Sequence, residues 1–197
     1  FKAEDMKNLM SYPIKAGLLD SINAYKLLYK FNFIPVLSVM VTRQMVQKTG
    51  YQSEDKRIQG CEDWDYWLRM AQSGAGFYGI GEPLFYYRRH AQNMSSNVIN
   101  MHKAQTAIFV RNYKAELFTK RETGQAFIPL LSFLLIQLVN AGRMAEAVET
   151  AGSVKNILPG TALFYHRLLK TTNLLPPVVF SIISRGYVKV KRAKKLN

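Results

Sequence analysis

The sequence predicts an α/β region over residues 1–97 that is followed by an all-helical region over residues 98–197. Every segment whose pattern indicates a strand lies before residue 90. After residue 97, apolar residues recur at helical spacing, and glycines and a Pro-Pro pair separate the segments. Hydrophobic residues make up 48% of the chain and aromatic residues 12%, which is enough to bury a core and excludes a disordered chain.

The first elements are predicted to be a helix and a buried strand. Residues 4–30 show apolar residues at helical spacing, and Asp20 or Ser21 is the candidate cap for the later part of this helix. Residues 33–41 form a short apolar run that is rich in β-branched side chains, which is typical of a strand buried on both faces.

Two short helices are predicted next. Thr42 is a candidate N-cap for a helix over residues 43–48, and Gly50 follows as its terminating glycine. A second helix is predicted over residues 61–71, ending near Gly74.

The remaining segments divide into two strands and five helices. The strands are predicted over residues 77–80 and 83–89, before a polar loop. The predicted helices cover residues 98–120, 127–140, 143–156, 161–170 and 177–192. The longest apolar stretch, residues 127–139, is shorter than the roughly 20 residues that span a bilayer, so it predicts a buried helix.

The ends and the single cysteine limit what the chain is. The first residues, 1–5, include neither an initiating Met nor a signal peptide, which predicts a fragment of a longer protein. Cys61 is the one cysteine, so no disulfide can form within the chain, as suits a reducing compartment.

Charge is distributed unevenly along the chain. The formal net charge is +14, and no acidic residue follows Glu149. The last 48 residues contain nine basic residues, which are Lys155, Arg167, Lys170, Arg185, Lys189, Lys191, Arg192, Lys194 and Lys195. A segment of one sign favours an anionic partner, either a membrane surface or a nucleic acid.

The helix predicted over residues 61–71 carries the chemistry. Its apolar stripe, at i, i+3, i+4 and i+7, consists of Trp64, Trp67, Leu68 and Ala71. Its first turn holds Glu62, Asp63 and Asp65, where unpaired N–H groups and the helix dipole favour ionised carboxylates. Such a cluster suits a general base on a rigid support, but ordinary helix capping explains three acids equally well.

Four segments in order resemble family 2 glycosyltransferases, an inverting family with a GT-A fold. Residues 62–69, EDWDYWLR, resemble the family's acidic ED-x-D-x-W-L-R motif. Before it, residues 32–38 resemble the strand that enters the acceptor site, and residues 46–51 resemble the helix end that precedes the motif. After it, residues 87–95 resemble the Y-R-x-H-x-x-N-x-S segment that closes the catalytic domain.

The resemblance implies the acceptor-side half of a GT-A domain over residues 1–97 and a role for each matched residue. Asp63 would be the general base, and Glu62 would orient the acceptor or Asp63. Ser38 and Trp64 would line the acceptor site, and Arg89 would bind the diphosphate. His90 would be a metal ligand, although a histidine bonded to loop backbone explains the same pattern.

The same resemblance implies that the donor-binding half is missing. The family holds Mg or Mn and the nucleotide diphosphate with an Asp-x-Asp motif that comes early in the domain. Here that spacing occurs only at Asp63 and Asp65, inside the acidic helix. The expectation is therefore a glycosyltransferase fragment, inactive alone, whose full-length enzyme needs a divalent metal and a nucleotide-sugar donor.

The basic tail indicates a second partner. At helical spacing, Val179, Ile183, Tyr187 and Val190 are expected on one side, and Arg185, Lys189 and Arg192 on the other. This pattern favours residues 177–195 lying on an anionic membrane, although a helix with a solvated basic face shows it too. Together with the resemblance, it implies a peripheral bacterial enzyme on the cytoplasmic face, which acts on a glycan or lipid-linked acceptor in cell-surface polysaccharide synthesis.

Two other functions remain open. One is a non-enzymatic basic helical module that binds an anionic membrane or nucleic acid. The tail shows no nucleic-acid motif, so no specific nucleic-acid partner is expected. The other is glycoside hydrolysis by paired carboxylates, which adjacent Glu62 and Asp63 fit poorly because they point in different directions.

Overall fold

Eight α-helices and one small sheet make up the part of the chain that the computed structural model describes, which is residues 16–82, 84–85, 97–172 and 176–193. The two strands are β1 (Gly17–Leu19) and β2 (Phe77–Gly79), which pair antiparallel with Leu18 opposite Tyr78. The helices are α1 (Ser21–Lys30), α2 (Arg43–Thr49), α3 (Glu62–Gln72), α4 (Val98–Arg111), α5 (Lys120–Asn140), α6 (Met144–Ser153), α7 (Pro159–Thr172) and α8 (Pro177–Ala193).

Aromatic side chains join α1 to the helices that follow residue 97. The ring of Tyr29 lies 4.2 Å from that of Phe109 on α4 and 4.4 Å from that of Phe118, measured between centroids. Phe109 in turn stacks on Phe127 of α5 at 4.2 Å. The Tyr29 hydroxyl donates to the Phe109 carbonyl at 3.1 Å, so this buried polar atom is satisfied. These contacts place α1 and α3, which carries the acids, on the same core as α4.

The central helix of the bundle is α5, which packs against α4, α6 and α8. Among the described helices it alone has the length and apolar composition of a membrane span, and 61% of its most apolar window is buried inside the protein. The predicted buried helix is present, but it begins at Lys120 and is longer than the apolar stretch that indicated it.

Local capping signals predicted several boundaries correctly. Asp20 caps α1, because its carboxylate accepts the N–H groups of Ile22 and Asn23 at 3.0 and 2.9 Å. Thr42 caps α2 through the N–H of Met45, and Gly50 ends that helix with φ +79°, which a side chain would strain. Both predictions are confirmed.

The strand predicted over residues 33–41 is wrong. Val36–Ser38 form a single 3-10 turn, in which the N–H of Ser38 donates to the carbonyl of Pro35. No strand of the described residues pairs with this segment, and its apolar side chains are largely exposed, with Met40 fully so. Short apolar runs indicate buried strands only when a neighbouring strand is there to pair with them.

The α/β fold class predicted for a partial GT-A fold is wrong, since the described residues fit an all-helical fold with one two-stranded sheet. Residues 17–19, predicted as helix, form β1 because Gly17 adopts φ +91° and the segment pairs with the predicted strand at residue 77. Residues 84–85 are not in a strand, and the rest of the strand predicted over 83–89 lies outside the described residues. The division into regions at residue 97 stays a prediction.

Candidate functional site

The acids of the predicted motif lie on α3, which the core fixes in place. Two indole groups anchor this helix, one to α1 and the other to the segment between α1 and α2. The Trp64 Nε1 donates to the Leu28 carbonyl at 2.6 Å, and the Trp67 Nε1 donates to the Ile34 carbonyl at 3.1 Å. Both tryptophans are buried, so the first turn of α3 is held on a rigid support.

The structure gives the three acids of this first turn three different environments. Glu62 is a local cap, because its Oε2 accepts the N–H of Gly60 at 2.5 Å. Gly60 adopts φ +87°, which lets the chain turn into the helix. The cap residue itself, Cys61, makes no side-chain hydrogen bond to the helix, so Glu62 and its neighbours supply the negative charge there.

Asp65 is a structural ion. Its side chain is 0% exposed, and its Oδ2 accepts from Arg69 Nε at 2.9 Å. Its Oδ1 accepts from Arg111 Nη1 and Asn112 Nδ2, both at 3.4 Å. Arg69 also donates to backbone carbonyls after α2, so Asp65 connects that loop to α4 and has no free oxygen for chemistry.

Asp63 differs from both neighbours because no described cation pairs with it. Its side chain is half-buried, its Oδ1 accepts the N–H of Trp64 at 2.6 Å, and its Oδ2 accepts from Asn32 Nδ2 at 3.3 Å. None of the ion pairs among the described residues includes it. It is therefore a positioned carboxylate to which the described residues supply no counter-ion.

Burial raises the pKa of Asp63 above the ordinary value of 3.8, and the nearby Glu62 charge adds to the rise. The hydrogen bonds from Trp64 and Asn32 oppose this rise and do not cancel it. Desolvation is the largest of these causes, so the raised pKa reflects the burial of the carboxylate. A carboxylate with a raised pKa takes up a proton more readily, as a general base requires.

Cys61 is not a candidate nucleophile. Burial raises the pKa of its thiol to about 12, and the carboxylates of Asp63 and Glu62 add to the rise. A thiol with so high a pKa contains almost no thiolate at neutral pH. The chemistry of this helix therefore rests on carboxylates.

The other predicted site residues are placed as follows. Trp64 is 5% exposed, which favours a core role over contact with an acceptor. Ser38 is exposed at the 3-10 turn, and its hydroxyl donates to the Pro35 carbonyl at 2.8 Å. Arg89 and His90 lie outside the described residues. The acceptor role of Ser38 and the roles of Arg89 and His90 stay predictions.

The structure offers no metal centre within its described ranges. No group of three or more His, Cys, Asp or Glu side chains is placed there to bind an ion. Asp63 and Asp65 have Asp-x-Asp spacing, but the Asp65 oxygens are taken by Arg69, Arg111 and Asn112. These two carboxylates therefore do not fit the diphosphate-bound metal that the family resemblance implies.

A cleft of about 950 Å³ lies beside the loop that leads into α3, between that loop, α4 and α6. Its walls carry hydroxyl, amide and charged groups over an apolar floor that includes Ile58 and Val110. Gly60, whose N–H is bonded to Glu62, marks the end nearest the acidic turn, and Asp63 is not among the lining residues. The acidic turn thus adjoins a polar cleft without lying inside it.

Two sets of contacts at the site were not predicted from the sequence. Asn32 orients Asp63, although the motif that contains it gave no sign of that contact. Arg111 and Asn112 reach Asp65 from 46 and 47 residues away, across the fold. No local spacing rule predicts contacts of that range, which exist because the end of α4 lies near the first turn of α3.

Comparison of the chain with described protein families, with curated proteins and with solved structures finds no match in any of the three.

Proposed function

We propose that this chain carries the acceptor side of an inverting glycosyltransferase, with Asp63 as the general base. Its carboxylate takes the proton of an acceptor hydroxyl while that oxygen bonds to the anomeric carbon of a nucleotide sugar. The bond from that carbon to the nucleoside diphosphate breaks from the opposite face, so configuration inverts. The diphosphate leaves with the bonding electron pair.

One observation supports this proposal: Asp63 neither pairs with a cation of the described residues, as Asp65 does, nor accepts an N–H from the loop before α3, as Glu62 does. Glu62 caps the turn that leads into the helix, and Asp65 forms ion pairs with two arginines. Asp63 has a rigid support, a hydrogen bond from Asn32 that fixes its plane, and a raised pKa. A positioned base needs these three properties.

Two surface features support a glycan acceptor and a donor-binding partner segment. The lining of the cleft beside Gly60 includes charged, amide and hydroxyl side chains of the kind that bind sugar hydroxyls. Next to the helix anchors, residues 36–41 expose the side chains of Val36, Leu37, Met40 and Val41. A donor-binding segment packed there would cover a patch that soluble surfaces rarely leave open.

The proposal requires a transfer activity that this chain lacks alone. We expect the protein expressed from the whole reading frame to transfer a sugar from a UDP-, GDP- or dTDP-sugar to a glycan acceptor. NMR of the product should show an anomeric configuration opposite to that of the donor. We expect the 197-residue chain to give no calorimetric binding of the same donors with Mn²⁺ or Mg²⁺. Retention of configuration, or micromolar donor binding by the short chain, contradicts the proposal.

A second function is supported by α8. This helix buries Phe180 and Ser184 against the bundle, and Tyr187 stacks on Phe164 of α7 at 3.9 Å. The residues on the face opposite these are exposed, with Val178 and Ile182 in its first half and Arg185 and Lys189 in its second. The side predicted to be apolar therefore packs into the bundle at Tyr187, and the outer face of α8 carries both apolar and basic residues.

We propose that this outer face of α8 lies on an anionic membrane surface and keeps the protein peripheral on the cytoplasmic side. Apolar residues can enter the headgroup region while Arg and Lys stems extend to lipid phosphates. No acid follows Glu149 in the sequence to oppose this attraction. The same surface would serve a non-enzymatic module, so this proposal does not depend on sugar transfer.

The expected result is flotation with phosphatidylcholine vesicles that contain phosphatidylglycerol, and none with phosphatidylcholine alone. Each basic residue near the surface adds about 1 kcal/mol. Arg185→Gln with Lys189→Gln should therefore weaken binding about thirtyfold. The matched control removes two exposed charges from α7, as Arg167→Gln with Lys170→Gln, and should change binding far less. Equal weakening by the two pairs shows that net charge, rather than α8, drives binding.

A further inference from the structure

A second cavity lies at the C-terminal end of α8. It has a volume of about 370 Å³ and is formed by the starts of α5 and α7 together with the last turns of α8. This volume falls within the range of small-molecule sites. Because the ends of three helices meet here, the cavity brings together residues up to 71 positions apart in the sequence, from Lys120 to Lys191.

The charged residues that the described part of the chain contributes to this cavity are all basic. Lys120, Arg121 and Lys191 line it, and no aspartate or glutamate does. Among the ion pairs of the described residues, none involves Lys120 or Lys191. The Lys191 ammonium is held instead over the Tyr187 ring, at 5.4 Å from its centroid. Lys120 and Lys191, at a concave surface where the described residues place no aspartate or glutamate, create a local positive potential.

The neutral part of the wall also suits an anion. Gly160 and Thr161, in the first turn of α7, lie at the cavity, and that turn contains no acidic residue. Gly160 is the second residue of α7, so its N–H has no carbonyl acceptor within that helix. Thr161 Oγ1 lies 3.0 Å from the Tyr187 hydroxyl, so this wall is a fixed set of polar groups. Apolar residues complete it, namely Ile128, Ile157 and Leu158.

We propose that this cavity binds a phosphoryl group. Its oxygens would accept from the Lys120 and Lys191 ammonium groups and from the start of α7, while the apolar wall would contact a carbon portion of the same molecule. Such a group is provided by a lipid headgroup or by free phosphate. The inference adds to the membrane proposal for α8, but its phosphate measurement stands without it, and it does not depend on Asp63.

The first measurement is a titration with inorganic phosphate, followed by the amide chemical shifts of Gly160 and Thr161. Saturable shifts at these two amides are expected. A hydrogen bond to a charged group contributes enough to change affinity at least about tenfold, so Lys120→Gln and Lys191→Gln should each weaken binding by that factor. Lys120→Gln alone leaves α8 intact, which keeps the test valid if the change at Lys191 disturbs packing.

The matched control is Arg185→Gln with Lys189→Gln, which removes two charges from the outer face of α8 and leaves the cavity unchanged. It should keep phosphate affinity within about twofold, since exposed charges at a distance are screened by salt. No saturable shift at Gly160 and Thr161, or equal affinity in the cavity variants and the control, overturns the proposal.

The second measurement identifies the source of the phosphoryl group. Vesicles of phosphatidylcholine with phosphatidic acid expose a phosphomonoester, whereas phosphatidylserine at equal surface charge does not. Preference for phosphatidic acid that is lost in Lys120→Gln assigns the site to a lipid headgroup. Phosphate binding to the cavity, with unchanged flotation of this variant, assigns it to free phosphate. Failure of flotation in every variant rejects only the membrane proposal.

Discussion

Replacing Asp65 by alanine is expected to lower the free energy of unfolding by about 3 kcal/mol. Its carboxylate is 0% exposed and accepts from Arg69, Arg111 and Asn112. Removing one partner of a buried ion pair leaves the other charge without compensation, which costs about 3–5 kcal/mol. The two arginines are 28% and 37% exposed, so water reaches both, and the low end of that range applies.

Unfolding in urea, followed by the fluorescence of Trp64 and Trp67, measures this effect directly, since both indoles are buried on the same helix as Asp65. The slope of the free energy with urea should stay constant while the midpoint falls. In a domain of this size the thermal midpoint should fall by about 6–12 °C.

The matched control is Asp55→Ala, which removes an acid that also pairs with Arg111 but lies in a surface turn with the exposed Arg57. Exposed ion pairs contribute little to the free energy of unfolding, so the stability of this variant should be far closer to that of the wild-type protein. If the two variants lose equal stability, then Asp65 is not the connection between α3 and α4 that its contacts indicate.

Local signals determined the parts of this fold that sequence reasoning predicted correctly. Asp20 and Thr42 cap the helices for which they were predicted, and Gly50 ends its helix, because a side chain within three residues of the N–H groups suffices to set a boundary. The range of α3 likewise follows from its apolar stripe and the glycine after it.

Pairing partners determined the parts that failed. Residues 33–41 have the composition of a buried strand, yet a strand needs a neighbour, and among the described strands β2 pairs with β1 instead. The same limit applies to the site. Sequence placed three acids in one turn, but their division into cap, structural ion and free carboxylate depends on Gly60, Asn32 and α4.

Under the proposed function, replacing Asp63 by asparagine is expected to lower the rate of sugar transfer by about 10²–10⁴-fold, the usual contribution of a general base. The amide cannot accept the acceptor's proton, although it occupies the same space. Binding of the donor should be unaffected. Lengthening the side chain, as Asp63→Glu, keeps a carboxylate but moves it by about 1 Å, which should still cost about 10²-fold.

Loss of folding does not explain this expected loss of rate. The folded-state pKa of Asp63 lies above 3.8, so the folded protein binds that proton more tightly than the unfolded chain does. The wild-type protein therefore loses stability as pH rises from 3.8 through the raised pKa. The Asp63→Asn variant does not, because its amide does not titrate. The asparagine at position 63 still accepts the Trp64 N–H but loses the 3.3 Å hydrogen bond from Asn32. The wild-type protein and the Asp63→Asn variant should therefore have similar stability at neutral pH.

The pH dependence separates a base from a structural carboxylate. For wild type, kcat/KM should rise with pH and level off once Asp63 is ionised, with a midpoint above 3.8 because burial raises that pKa. The Asp63→Asn variant should retain low activity without that acid limb. The control Glu54→Gln removes one exposed negative charge near the same loop and should keep both rate and profile. A wild-type acid limb that persists in Asp63→Asn would mean that another group accepts the proton, and the role proposed for α3 would then be structural.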